Sequence, residues 1–275
     1  MIALTDLKMQ IARRKSVNPI PATVSELLRL SEDPHASLKD FEAVIAKDPA
    51  TAAEVLRHAN SPLYAPRSEI KSLTHAVAYL GIETVKNVVL TSALKASYGE
   101  TSFAPEVWKL LWNHALTTAV AGTVLARMLK TGSPDEWYTL GLLHDYGKAV
   151  LLRLYPDEYL TVFETANREK IPFVEAERSL SEVTHTEAGF VALGFWRLPP
   201  AVLKAVRTHH DPKSRVWAPG TVVHYASAVL GYSMDPLESI PVDDALKKLG
   251  VPKEELDEFK KRLIDETKKA LPGLF

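Results

Sequence analysis

A chain of 275 residues, 46% hydrophobic and 24% charged, has the composition of an ordinary globular protein rather than a disordered one and is long enough for one large or two compact domains. With 33 basic against 34 acidic side chains and a net charge of -1, it offers no broad electrostatic attraction to nucleic acid or anionic lipid. It contains no cysteine, which excludes disulfides, thiolate metal sites and a cysteine nucleophile, so any metal must be held by His, Asp or Glu.

The N-terminal stretch MIALTDLKMQ reaches Asp6 and Lys8 too early to hold the apolar core of a secretory signal. No apolar run approaches the length needed to cross a bilayer. Neither a membrane nor nucleic acid is an expected partner, and the cytoplasm is the expected location. Asp48-Pro49 is a helix start, a capping aspartate before a first-turn proline. At Asn60-Ser61-Pro62 two readings stand side by side. One is the end of that helix with Asn60 in a left-handed turn; the other is a groove between the two halves of the chain that receives a peptide or nucleotide. In SLTHAVAYL, Leu73, Ala76, Val77 and Leu80 fall at i, i+3, i+4 and i+7 on one helical face. After Gly81 the pattern resumes with Ile82, Val85 and Val89, and the flanks of VVL at 88–90 keep the helical period.

Polar and turn-forming residues in SYGETSFAPE interrupt the periodicity. We therefore expect an N-terminal helical bundle over residues 1–100 and a second helical part over residues 101–275. VWKLLWNHALTTAVAGTVLARML carries an apolar stripe through Val107, Leu110, Leu111, His114 and Ala115. Ser133-Pro134-Asp135-Glu136 reads as a capping serine, a first-turn proline and a reciprocal glutamate, and Thr184-His185-Thr186-Glu187 as a second capping box. A helix begun at Pro199-Pro200 turns Leu203 and Val206 inward and ends at His209-His210. The segment PKEELDEFKKRLIDETKKALPGLF reads as an amphipathic helix with Leu256, Phe259 and Leu263 on one side and a solvated Lys/Glu face. No stretch shows a convincing strand alternation, so the expected class is all-α.

Several histidines fall at inward positions. His114 lies on the apolar stripe of its helix. His144 follows Leu140 by four residues and precedes Leu151 by seven. Asp145 is about 100° further round, so the two side chains can converge on a point beside the helix. A buried carboxylate needs a positive partner; a metal ion is one solution and Lys148, one turn after His144, is another. His185 lies in a first helical turn, and His209 and His210 at a helix end. Taken singly, each of these histidines also fits a hydrogen-bonded interior or surface role.

Their order resembles a known family. The series His114, His144-Asp145 in HDYGK, His185 and His209-His210 is similar to the pattern of HD-superfamily metal-dependent phosphohydrolases. DPATAAEVLRHANSPLYAPRSEIKSLTHAVAYLG, WKLLWNHALTTAVAGTVLAR, LGLLHDYGKAVLLRLYPDEY, HTEAGFVALGFWRLPPAVLKAVRTHH and VVHYASAV together resemble the HDOD family, the HD-related output domain of bacterial signalling proteins, from about residue 15 to 265. The resemblance implies His114, His144, Asp145, His185, His209 and His210 as ligands for one or two divalent ions. It gives Asp145 and Lys148 catalytic roles, with Lys148 stabilising phosphate charge. So imidazole-rich a set suits Fe, Mn, Zn or Ni better than Mg or Ca, and a metal-free site is the other expectation.

Two departures weigh on hydrolysis. Where HD hydrolases place a late aspartate, this chain has Ser227, on the inner face set by Val223, Ala226 and Leu230. A neutral hydroxyl there removes one anionic ligand. After His209-His210 the chain reads DPKSRVWAPG in place of a GYP-type motif, which argues against cyclic di-GMP hydrolysis and leaves Asp211 as a substitute oxygen ligand. The expected function is therefore a signalling output or regulatory module with a degenerate metal site, acting through a signalling protein partner or a nucleotide or phosphate ligand. The alternative is a metal-dependent phosphohydrolase acting on a phosphate ester or nucleotide.

Overall fold

Local signals set where many of the helices begin. In the computed structural model, which describes residues 2–13, 22–31, 33–61, 64, 66–98, 103–196, 198–233 and 235–271, Asp48 caps its helix by accepting the backbone N–H groups of Ala50 and Thr51. Ser37 and Asp40 form a reciprocal capping box, and Ser72 accepts the N–H of His75. At Thr184 the backbone N–H donates to Glu187 at 3.0 Å, as the sequence leads one to expect. Ser133 differs: Pro134 opens its helix, but the serine side chain makes no capping hydrogen bond. Asn60 also departs from expectation. Its φ is -93°, so it is not left-handed, and Pro62 lies outside the described residues.

The described residues form α-helices, two short 3-10 turns and no strand. The N-terminal part comprises α1 (Leu4–Arg13), α2 (Ala22–Leu30), α3 (Leu38–Ile45), α4 (Pro49–Ala59), α5 (Leu73–Leu80) and α6 (Ile82–Tyr98). The C-terminal part follows with α7 (Pro105–Leu129), α8 (Pro134–Leu143), α9 (Tyr146–Leu154), α10 (Pro156–Glu169), α11 (Phe173–Leu180), α12 (His185–Phe195), α13 (Pro200–Thr208), α14 (Trp217–Val229), α15 (Val242–Lys248) and α16 (Leu256–Ala270). None of these helices is long and apolar enough to cross a membrane.

One apolar core runs through both parts, from Leu7, Leu27, Phe41 and Val55 to Leu90, Leu151, Tyr159 and Leu193. A second cluster packs α14, α15 and α16 onto α7 through Leu125, Val222, Ala226, Leu246 and Leu263. The charged face of α16 is solvated as expected, while Leu256, Leu263 and Thr267 are buried. Helix α7 is almost wholly buried from His114 to Ala126 and is the axis on which the site is hung.

Two close backbone approaches fix the helices that carry the site. A Cβ on Gly141 would lie 2.6 Å from the carbonyl oxygen of Thr118, so α8 rests directly on α7. A Cβ on Gly147 would lie 1.8 Å from the carbonyl oxygen of His185, so α9 and α12 touch backbone to backbone. Gly147 is the glycine of HDYGK, and its hydrogen atom is what lets Asp145 and His185 share one centre.

Candidate metal centre

His144 and Asp145 do not sit on one helix. Helix α8 ends at Leu143 and α9 begins at Tyr146, and Asp145 has φ -102° and ψ 9° between them. This break turns both side chains toward α7, α12 and the end of α13. The Asp145 carboxylate becomes the hub: Oδ2 is 3.2 Å from His114 Nε2, 3.4 Å from His144 Nε2 and 2.7 Å from Lys148 Nζ. Oδ1 lies 3.2 Å from His185 Nε2 and 3.5 Å from His209 Nε2. His210 Nε2 is 3.2 Å from His185 Nε2. The six residues read from the sequence as ligands thus meet at one place.

The other ring nitrogen of four of these histidines is held from behind. His144 Nδ1 donates to Gly141 O and His209 Nδ1 to Val206 O, both at 2.7 Å. His185 Nδ1 donates to Glu177 Oε2 at 2.7 Å. Ser227 donates its only hydroxyl proton to Tyr232 O at 3.3 Å, so its oxygen accepts from His114 Nδ1 at 2.9 Å. A proton is thereby held on Nδ1 in each ring and Nε2 is turned to the centre. Nε2 atoms then face each other at 3.2 Å in the pairs His114–His144 and His185–His209. Lone pairs at that distance repel unless a proton or a cation lies between them. Asp145 Oδ1 is buried between His185 Nε2 and His209 Nε2 and points the same way. The donor set fits a divalent metal.

Charge in the centre follows from burial and neighbours. Burial pushes the His114 pKa down to about 3 and that of His209 to about 4, and it holds His210 well below its usual value, so all three are neutral donors at neutral pH. His185 goes the other way: burial opposes its charge, but Glu177 and Asp145 outweigh burial and raise it to about 9. Burial likewise opposes ionisation of Asp145, yet His144, Lys148 and His185 hold its carboxyl well below the usual range. With no cation present, Lys148 and a protonated His185 balance the buried carboxylates. Lys148 is 2% exposed, pairs with Asp145 and lies over the Phe173 ring with Nζ 4.7 Å from its centroid.

Among the described residues, two groups of side chains have the convergence needed to hold an ion: Asp145, His185, His209 and His210, and His114, His144 and His224. A cavity of about 170 Å³ opens on them, lined among others by His144, Asp145, His209, His210, His224 and Asp235. A more apolar cavity of about 180 Å³, with Trp137, Leu140 and Arg215 in its wall, adjoins His144 and His209 from the other side. Lys148 lines neither cavity.

Three residues of this region escape the sequence reading. Glu177 is fully buried behind His185; its signal was a carboxylate three and four residues from inward-facing Val174 and Phe173. His224 precedes Ser227 by three residues on the same helix, one turn from a position already marked as inward. Asp235, in the loop after α14, offered no periodic signal. Its Oδ2 lies 2.7 Å from His224 Nε2. Burial opposes its charge, but His224, Lys148 and the Phe173 N–H hold its carboxyl below the usual range. Asp211, expected as a substitute ligand, stays outside the cluster: it is exposed and accepts the backbone N–H of Lys213. Ser227 is buried but works behind His114 rather than at the centre.

Comparison with known proteins agrees with this architecture. The sequence pattern of the HDOD domain matches residues 17–212. An uncharacterized protein of Treponema pallidum (strain Nichols) is 28% identical over 211 residues, which is 75% of this chain and 40% of that protein, so the chain spans well under half the length of that curated relative. A crystal structure from Marinobacter aquaeolei VT8, provisionally named a signal transduction protein, superposes with a TM-score of 0.74 at 23% identity, covering 91% of this chain and 57% of that one. A Shewanella amazonensis SB2B structure, provisionally named a phosphohydrolase, gives a TM-score of 0.69 at 21% identity, covering 96% and 97%. At these identities the two structures speak for the fold alone.

Proposed function

The chain belongs to the HDOD domain family, and from that premise we propose that it is a cytoplasmic signal-transduction module whose His/Asp centre holds one or two divalent transition-metal ions. It acts on this reading by binding a signalling protein or a small phosphate-bearing ligand. His114, His144, Asp145, His185, His209 and His210 are the proposed ligands, and Fe, Mn, Zn or Ni the proposed ions, because the set is rich in imidazole. The observation that carries the proposal is the convergence of five imidazole Nε2 atoms and the Asp145 carboxylate on one buried point.

Binding is favoured over turnover for two reasons. Lys148, the cation beside the ligand cluster, is committed to Asp145 and away from the cavity. A cavity of about 170 Å³ is smaller than the roughly 300–1,000 Å³ of most small-molecule pockets and suits a phosphate group better than a whole nucleotide.

The second reading, a metal-dependent phosphohydrolase, is favoured by the opening of that cavity directly onto the ligand cluster. When bound, a divalent ion supplies Lewis acidity toward a phosphoryl oxygen. Asp145 and the histidines would hold the ion, Glu177 would keep His185 oriented, and the adjoining apolar cavity would take the ester's leaving group. Purified protein reconstituted with Mn(II) and assayed for phosphate release from phosphate mono- and diesters separates the readings. A binding module shows metal uptake, lost in Asp145→Ala, with no release above background. Release that disappears in Asp145→Ala establishes the hydrolase instead.

A further inference from the structure

The two ligand groups differ in charge. One contains Asp145; the other, His114, His144 and His224, contains no acidic side chain. An imidazole ligand brings no negative charge, so an ion held only by imidazoles leaves its charge to be met by the surroundings. Ser227 does not meet it, because its hydroxyl is divided between His114 and Tyr232.

The loop after α14 returns an anion to that place. Asp235 reaches His224 Nε2 at 2.7 Å with its side chain 8% exposed. Its Oδ1 accepts the backbone N–H of Phe173. It also lines the same cavity as His144 and Asp145. The arrangement repeats what stands on the other side of the centre, where Glu177 backs His185 at the same distance of 2.7 Å. Each group therefore has one histidine held by a carboxylate from outside it, an outer contact that orients a ligand and raises its basicity. Asp145 faces both groups, Oδ2 toward His114 and His144, Oδ1 toward His185 and His209. His224 and Asp235 lie beyond the residues that match the family pattern, 17–212.

We propose that His114, His144 and His224 form a second divalent-metal site beside the one on Asp145, His185, His209 and His210, and that Asp235 positions His224 and supplies the negative charge that Ser227 does not. The proposal rests on the metal-binding reading above and adds to it the number of ions and the residues that select the second. Asp235 acts through His224 and is a positioning residue.

The test is a Mn(II) titration of untagged wild-type protein, His224→Ala, Asp235→Asn and the surface control Asp211→Asn. Bound metal is counted by mass spectrometry and electron paramagnetic resonance, with circular-dichroism melts to check folding. Wild type and Asp211→Asn are expected to take up a second ion per chain. His224→Ala loses it, and Asp235→Asn binds it about 10–100-fold more weakly, while both keep the first. A second ion held with wild-type affinity in both variants overturns the proposal and leaves the metal reading standing. So does a wild type that saturates at a single ion unaffected by His224→Ala. A wild type that binds none removes both. If the variants fail to fold, anomalous scattering from Mn(II)-soaked wild-type crystals decides: a peak within bonding distance of a His224 nitrogen supports the site, and two peaks elsewhere, or one alone, overturn it.

Discussion

Asn60 and Asp145 both stand out in the sequence, each a polar residue among apolar helices, and the structure treats them in opposite ways. The amide of Asn60 is fully used: Nδ2 donates to Leu56 O and Ile70 O at 2.9 Å, and Oδ1 accepts the Ile70 N–H at 2.8 Å. It is a clamp that ties the end of α4 to the loop before α5. Asp145 spreads its two oxygens over Lys148 and four imidazole nitrogens at 3.2–3.5 Å, in rings whose Nε2 atoms also face one another. A polar group that the fold satisfies from within is architecture. One that the fold buries among several imidazole nitrogens that face each other is placed to share a cation with them.

The comparison can be broken most forcefully at the hub. Asp145→Ala leaves Lys148 buried without its counter-charge, and removing one partner of a buried pair costs about 3–5 kcal/mol. Denaturant unfolding of metal-free protein should show that loss, and metal analysis should show an empty centre. Next comes Gly147→Ala, whose Cβ would fall on the His185 carbonyl. Overpacking of that kind costs about 1–3 kcal/mol or more, and pushing α9 from α12 should also weaken metal uptake. The matched control is Gly194→Ala on α12, where a Cβ meets nothing within 4 Å; it should stabilise by about 0.5–1 kcal/mol.

Glu177→Gln sharpens the contrast without emptying the site. It removes a carboxylate behind a ligand and should lower metal affinity about 10–100-fold. It also tests the proton on His185. That pKa is raised to about 9, so the proton is bound below this pH and must leave before Nε2 can take an ion. Wild-type affinity should therefore rise with pH up to about 9 and fall by about tenfold per unit below it for one displaced proton. In Glu177→Gln the pH at which this dependence levels off should move down, which isothermal titration at several pH values would record. The smallest effect belongs to the other region. Asn60→Ala should cost about 1 kcal/mol of stability and leave metal content unchanged; a loss of metal there would erase the distinction between the two places.

Much of this was legible in the sequence because periodicity and capping are local. Asp48-Pro49 and Thr184–Glu187 open helices where their chemistry says they should, and His114 occupies an inward position that a helical period locates. What the sequence hid depends on contacts across the chain. The break between Leu143 and Tyr146 has no proline, and its glycine, Gly147, lies inside α9; it follows from α9 docking on α12. Ser133 has the right neighbours for a cap and makes none. Asp235 comes from a loop, where no period can say which way a side chain points. Reading position 227 alone suggested that a negative charge had been lost, yet a carboxylate stands eight residues further on.

The most direct test of the account is the metal content of untagged protein purified without chelator, followed by a melt with and without added Mn(II), Fe(II) or Zn(II). The account expects transition metal bound in at least equimolar amount. It also expects that restoring metal to stripped protein raises stability, by about 2.7 kcal/mol at a free concentration 100 times the Kd, with both effects gone in Asp145→Ala. Protein that carries no metal, and whose melting is indifferent to every ion added, would contradict it.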